Sequence, residues 1–384
     1  MRIRDYGVIP GAMPTGLNNS ITDVAGVTVG HTTLHQDDIH TGVTVILPAQ
    51  DNLFANKLTA ACYVHNGFGK TAGLMQIQEL GTLETPIALT NTLNVGLVSD
   101  ALVEYTLNRC QQDGISLRSL NPVVGECNDG RLSRIALRPI TKQHVFSAIA
   151  SAGVEVTEGD VGAGAGTICF GLKGGIGTAS RTFSMGGSTY TLGVLVQSNF
   201  GSTQDLTICG QPVGQQVLPL LEKMKYAPTQ VDAGSIMMVV ATDLPLSSRQ
   251  LYRVIRRCGV GLARTGSFLG HGSGEVMLGF TTANRVPLQG PAIRMQMEVQ
   301  EDLLDIPFRA AAEATEEAVL NSLASRSHRY RLWRPYNLRA GRSPLPISKR
   351  TCPPGFVMVF RTVKPFFSKF RRLGRLSGAT VPTR

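Results

Sequence analysis

The stretch Asp232-Ala233-Gly234-Ser235, followed by the apolar run Ile236-Met237-Met238-Val239-Val240-Ala241, sets a hydroxyl directly after a glycine at the start of a buried strand. The Ser235 hydroxyl has an intramolecular target there, the carbonyl carbon of Gly234. Glycine has no side chain to obstruct that approach and reaches backbone angles closed to other residues. Attack would turn the amide into an ester, which water could then open. Ser235 would emerge carrying a hydroxyl and a free α-amine, the pairing of nucleophile and adjacent base used by N-terminal nucleophiles. A Gly-Ser pair is also an ordinary turn feeding a strand. The surrounding chain has to decide between the two readings.

On the N-terminal side, residues 191–196 read as a buried strand that delivers Gln197-Ser198-Asn199. Asn199 could donate a side-chain N–H to a reacting group, or simply close a turn. A helix is predicted over 215–225, and a loop leads from it to Gly234. On the C-terminal side, Leu251, Val254, Ile255, Cys258 and Leu262 keep helical spacing and predict one helix. Gly270-His271-Gly272-Ser273-Gly274-Glu275 is a glycine-rich turn running into a strand over 276–282. Ser273 and Glu275 are two apart and share a face in an extended segment. They could orient a nucleophile and bind an amine, or be two polar residues on a solvated strand face. Residues 306–324 predict an alanine- and glutamate-rich helix.

Further upstream, short strands are predicted over 24–29, 41–48, 60–66, 85–91 and 122–126. Helices are predicted over 73–79, 98–112 and 141–151, the last from a threonine cap at Thr141. Gly67-Phe-Gly-Lys-Thr71 invites a phosphate-loop reading, but the required first glycine falls on Val64. The glycine-dense run 159–180 fits neither that motif nor the dinucleotide fingerprint. It reads as two bulged strands in close backbone contact, or as a wall of backbone N–H groups beside a reacting carbonyl.

The 384 residues, 42% hydrophobic and 17% charged, describe a globular chain long enough for a large core. The net charge of +10 is unevenly placed: residues 326–384 hold 15 Lys and Arg and no Asp or Glu, leaving 1–325 with 22 basic and 27 acidic residues. That body lacks helix-turn-helix, RNA-binding-strand and zinc-finger patterns, which argues against specific nucleic-acid binding. The basic, proline-containing tail 326–384 is expected to be poorly ordered and could attract polyanions. Seven scattered cysteines without a C-x-x-C pair suggest reduced thiols and a cytoplasmic setting. No apolar run reaches the ~20 residues of a membrane span, and no signal segment opens the chain. No metal-ligand cluster is visible, so neither metal nor cofactor is expected.

Taken together, Ser20-Ile-Thr-Asp-Val, Gly26-Val-Thr-Val-Gly-His31, Asn66-Gly-Phe-Gly-Lys-Thr71, Thr90-Asn-Thr-Leu-Asn94, Pro122-Val-Val-Gly-Glu-Cys-Asn-Asp-Gly130, Lys173-Gly-Gly-Ile-Gly-Thr-Ala-Ser180, Gln197-Ser-Asn-Phe-Gly201, Gly234-Ser235 and His271-Gly-Ser-Gly-Glu275 occur in an order that resembles the DmpA-type L-aminopeptidase/D-esterases, which include the β-peptidyl aminopeptidases. The resemblance spans about residues 5–325. It implies an α+β fold, an αββα sandwich in one large domain, like the N-terminal nucleophile hydrolases and the arginine-biosynthesis acetyltransferases. It implies a catalytic domain over 1–325 that cuts itself into an α chain, 1–234, and a β chain from 235, and a homo-oligomer, commonly a tetramer. It further implies a serine aminopeptidase or amidase acting on short peptides, amino-acid amides or esters. Ser235 would be the nucleophile, with Ser273 hydrogen-bonded to its hydroxyl and Glu275 holding the new ammonium. Asn199 would be the oxyanion donor, and Glu126 would bind the substrate's amino terminus.

Three alternatives stand beside that expectation. One is a hydrolase of non-peptide amides such as polyamide oligomers. Another is an acetyltransferase, against which the serine counts, since a threonine nucleophile is expected there. The third is an uncleaved, non-catalytic binding protein with a basic tail.

Overall fold

A computed structural model of the chain describes residues 1–223 and 234–325. In chain order the strands are β1 (Thr28–Gln36), β2 (Ile39–Leu47), β3 (Asn56–Gly67), β4 (Thr82–Leu83), β5 (Ile87–Asn91), β6 (Val123–Cys127), β7 (Ile168–Cys169), β8 (Leu172–Lys173), β9 (Gly175–Met185), β10 (Ser188–Asn199), β11 (Thr207–Ile208), β12 (Gln211–Pro212), β13 (Gly234–Thr242) and β14 (Ser273–Pro287). The helices are α1 (Leu74–Leu80), α2 (Val95–Gln112), α3 (Lys142–Ala150), α4 (Gly214–Lys223), α5 (Ser248–Ile255), α6 (Cys258–Arg264) and α7 (Asp305–Ala324). The expected disorder of 326–384, the loop before Gly234 and the last two residues of the helix expected over 215–225 lie outside the described residues.

Two sheets stack face to face. One has the order β1-β2-β5-β6 and the other β4-β3-β14-β13-β10-β9. Pairing is antiparallel except for β5 with β6 and β13 with β14. The apolar run of β13 serves two cores at once, as alternation in a strand demands. Ile236, Met238 and Val240 join the core beneath α5, α6 and α7. Met237, Val239 and Ala241 join the core between the sheets, with Ile46, Leu89 and Cys127. A third core packs α2 and α3 on the outside of the smaller sheet through Val98, Ala101, Leu102, Val145 and Ala148. The layers therefore run helix, sheet, sheet, helix. A strand buried on both faces reads as a continuous apolar run, which is why β13 stood out in the sequence.

The N-terminal segment is fastened to the larger sheet by a buried ion cluster. Arg181 on β9, fully buried, meets Glu317 at 2.9 Å and Glu313 at 3.3 Å on α7, and its guanidinium also donates to the Pro10 carbonyl at 2.9 Å. Arg4 adds a second contact to Glu317 at 2.5 Å.

Two expectations are corrected. The helix predicted through 251–262 is two helices, α5 and α6, that part at Arg256-Arg257. Apolar spacing survives the break because both pieces face the same core, and Gly261 brings α6 so near α7 that a Cβ would lie 2.3 Å from the Ala312 carbonyl. The glycine run is not two bulged strands. It opens as a single turn of 3-10 helix over Gly162–Gly164, continues through the two-residue strands β7 and β8, and becomes regular only at β9.

Candidate active site

One end of the larger sheet gathers most of the candidate residues. Asn199 is the last residue of β10 and pairs directly with Ser235 on β13. On its other side β13 runs parallel to β14, with Gly234 opposite Ser273, Ser235 opposite Gly274 and Ile236 opposite Glu275. All four polar side chains are buried, Ser273 and Glu275 completely. They are not on a solvated strand face.

Gly234 is held in a conformation that only glycine tolerates well. Its φ is +148°, and a Cβ placed on it would lie 1.9 Å from the Asn199 carbonyl oxygen. Its N–H donates to the Gly272 carbonyl at 3.1 Å. A residue with a side chain would pay on the order of 1–3 kcal/mol to hold this conformation, which glycine adopts without that cost. The glycine so placed is the residue whose carbonyl Ser235 would attack.

Directly paired residues share a sheet face. Ser235 and Asn199 thus look into the space between the sheets, and Ser273 and Glu275 follow Ile236 toward the helices. The Ser273 Oγ has no hydrogen-bond partner among the described residues, and the Ser235 Oγ has none beyond the neighbouring Cys127 thiol. The expected bond between them is not formed in the intact chain. Register, which the sequence does not state, is the reason: β14 is offset so that glycine, not Ser273, stands beside Ser235.

Asn199 is oriented. Its Oδ1 accepts the Ile168 N–H at 3.0 Å, which leaves the Nδ2 hydrogens for another acceptor. Asn66, on β3, pins the turn before β14 by donating from Nδ2 to the carbonyls of Gly270 and His271 at 3.1 Å each, and to that of Ser273. Asn66 immediately precedes the Gly67–Thr71 stretch that invites a phosphate-loop reading, and the sequence assigns it no role of its own.

Glu126 and Cys127 end β6 in the facing sheet. The Cys127 Sγ lies 3.3 Å from the Gln197 carbonyl oxygen and 3.5 Å from that of Ser235, so the two sheets touch at the nucleophile candidate. Burial pushes the Cys127 thiol well above its ordinary pKa, and the Glu126 charge adds to this; it stays a thiol and a donor. Glu126 points to the other side of β6. Its Oε1 accepts the Lys70 N–H at 3.0 Å and its Oε2 accepts the Thr92 hydroxyl. No hydrogen bond joins Glu126 to Ser235 among the described residues. The turn at 68–70 lies between them, with the Phe68 carbonyl oxygen 2.4 Å from where a Cβ on Gly274 would sit. Phe68 is half exposed there, 6.4 Å from the His271 ring, with the Lys70 ammonium 5.2 Å from its own ring.

Among the described residues no group of three or more His, Cys, Asp or Glu could hold a metal ion, and no helix is long and apolar enough to cross a membrane. What the arrangement offers is acyl chemistry: a buried hydroxyl beside the carbonyl of a tightly seated glycine, and an oriented amide on the same sheet face.

Comparison with known proteins agrees. The profile of peptidase family S58 matches residues 19–329. The β-peptidyl aminopeptidase BapA of Sphingosinicella xenopeptidilytica is 39% identical over 345 residues, covering 84% of this chain and 85% of that protein. The structure of a Burkholderia sp. β-aminopeptidase superposes with a TM-score of 0.80 at 36% identity, over 95% of this chain and 99% of that one. The structure of the L-aminopeptidase D-Ala-esterase/amidase of Ochrobactrum anthropi, described as a prototype for the serine aminopeptidases and a new variant of the Ntn-hydrolase fold, gives 0.83 at 32% identity, over 96% and 99%. The sandwich is this variant of the Ntn-hydrolase fold.

Proposed function

The chain belongs to peptidase family S58, and we propose on that premise that it is a self-processing serine aminopeptidase whose nucleophile is Ser235. Residues 1–325 are the catalytic unit. The observation that carries the proposal is Gly234, held at a φ only glycine tolerates and seated against Asn199, immediately before a buried hydroxyl.

In the first reaction the Ser235 Oγ bonds to the Gly234 carbonyl carbon as its proton leaves. The C–N bond breaks, and Ser235 nitrogen takes up a proton to become an amine. Water then hydrolyses the ester, giving a Gly234 carboxylate and restoring the Ser235 hydroxyl. In the second reaction the α-amine accepts the Oγ proton while Oγ attacks the substrate carbonyl. An α-amine has a pKa near ~7.7–8.0 and is suited to this task near neutrality. The oxyanion accepts a hydrogen bond from Asn199 Nδ2. The leaving amine takes the proton, and water releases the acyl group.

Release from Gly234 also removes the strand continuity that keeps Ser235 on the Asn199 face. The freed residue turns so that Ser273 reaches its hydroxyl and Glu275 its ammonium. Glu126 receives the substrate's amino terminus from across the 68–70 turn and limits the enzyme to short peptides, amides and esters with a free amine. The Ser235→Ala variant tests the scheme: it should remain one chain on a denaturing gel and release no amine from amino-acid p-nitroanilides. Normal processing of that variant would sink it.

Self-association is part of the proposal. Ile293 and Met295 are 88% and 96% exposed on the run after β14, with Met297 close behind, and a second copy would cover them. Light scattering that returns a monomer opposes this.

A further inference from the structure

Lys173, the last residue of β8, is 4% exposed. Lysine is seldom buried so deeply without full compensation. Here the ammonium has three donors and three carbonyls to receive them: Gly164 at 2.8 Å, Thr167 at 2.9 Å and Gly174 at 3.0 Å. All three acceptors belong to the segment 164–174 that the lysine itself closes. The Gly174 N–H also returns to the Thr167 carbonyl, at 3.1 Å.

That segment clasps the end of β10. Its Ile168 N–H holds the Asn199 Oδ1 at 3.0 Å. Its Phe170 N–H reaches the Phe200 carbonyl at 2.7 Å, and the Gly175 N–H reaches the Ser198 hydroxyl at 3.2 Å. Gly174 passes so near that a Cβ would lie 2.5 Å from the Ser198 carbonyl oxygen. Residues 198, 199 and 200 are each touched by the segment that Lys173 ties. The three carbonyl acceptors match the three N–H donors of an ammonium. Asp129, fully buried, lies within its electrostatic reach and accepts from Asn91 Nδ2 at 3.1 Å. His40 nearby is held to about 4, by burial first and then by His35 and Lys173, and so adds no competing positive charge near neutrality.

We infer that Lys173 is a positioning residue for the acyl-transfer site: its ammonium fixes the 164–174 segment so that the Ile168 N–H holds the Asn199 side-chain oxygen Oδ1 and leaves the Nδ2 hydrogens for the oxyanion. The inference rests on the proposed role of Asn199. It gives the glycine run a task, since small residues let the segment approach both the lysine and β10.

Four variants test it: Asn199→Ala, Lys173→Arg, the charge-balanced pair Lys173→Met with Asp129→Asn, and that pair combined with Asn199→Ala. Two rates are read on each, disappearance of the intact chain and release of p-nitroaniline from L-alanine and β-alanine p-nitroanilides. A reacting group misplaced by ~1 Å loses on the order of 10²-fold in rate. Both lysine variants should lose about tenfold or more in both rates, with KM within about twofold, and the loss should shrink to under about threefold in the Asn199→Ala background. Arginine keeps the charge, but its planar fork does not replace the three-carbonyl tripod. Wild-type rates in the lysine variants would overturn the inference, as would an equal fold-loss in the Asn199→Ala background. Failure of both lysine variants to fold would also overturn it, placing Lys173 in the fold and not in the site. Full activity of Asn199→Ala would instead remove the reading on which it rests.

Discussion

Replacing Gly234 by alanine should arrest self-cleavage while leaving the chain folded. The added Cβ meets the Asn199 carbonyl oxygen at 1.9 Å, whereas ordinary contact begins at 3.4 Å, so β13 and β10 must part by roughly 1.5 Å at this point. The alternative is to abandon the φ of +148°, which costs a residue with a side chain about 1–3 kcal/mol to retain. Either adjustment moves the carbonyl carbon relative to the Ser235 hydroxyl and the Asn199 amide. A displacement of ~1 Å in a reacting pair is worth on the order of 10²-fold. The half-time of processing should therefore lengthen by about two orders of magnitude, followed as loss of the 384-residue chain by intact mass. Gly186→Ala is the control, since that glycine also has a positive φ, +59°, but nothing lies within 4 Å of its added Cβ. Gly186→Ala should process at the wild-type rate. A Gly234→Ala chain cut as fast as the Gly186→Ala control would refute the link between this geometry and the reaction.

Other consequences can be checked separately. Asn199→Ala should lower kcat by roughly 10²–10³-fold with little change in KM, in steady-state kinetics on a p-nitroanilide, as loss of one oxyanion donor does. Glu126→Gln should raise KM for substrates with a free amine by about tenfold or more, since a hydrogen bond to a charged partner is worth ~1.5–3 kcal/mol; an unchanged KM counts against that assignment. Arg181→Ala leaves Glu313 and Glu317 buried without their shared guanidinium. It should cost ~3–5 kcal/mol in urea unfolding, while an isosteric apolar replacement of the whole cluster would cost less. Burial lowers His31 and His40 to about 4. Unfolding at acid pH therefore takes up protons: their contribution is whole above about 6.5 and is lost as pH falls toward 4. Melting temperature should fall across that window, and His31→Asn should flatten the fall.

Much of the fold was legible because burial writes itself into single residues. β13 is a run of apolar side chains, and it lies where two cores meet. The order of strands within the two sheets was not legible from periodicity, since pairings such as β3 with β14 join residues about two hundred positions apart; the ordered motifs supplied the layered sandwich through resemblance, not the order. At the site, spacing alone placed Ser273 and Glu275 on one strand face, as the structure has them. It could not place that face relative to Ser235, which depends on the register of β14 against β13. The break between α5 and α6 stayed hidden because apolar spacing continues across it. Cys127, Asn66 and Lys173 escaped notice for a common reason: their partners are backbone carbonyls, and a sequence does not say which carbonyl a side chain will meet.

The central claim is that the chain makes its own nucleophile at Ser235. N-terminal sequencing of the purified protein, with its intact mass, tests this most directly. The account predicts two chains, one ending at Gly234 and one whose first residue is Ser235. A single uncut chain that nonetheless hydrolyses amino-acid p-nitroanilides, or a new terminus at any other residue, would contradict it.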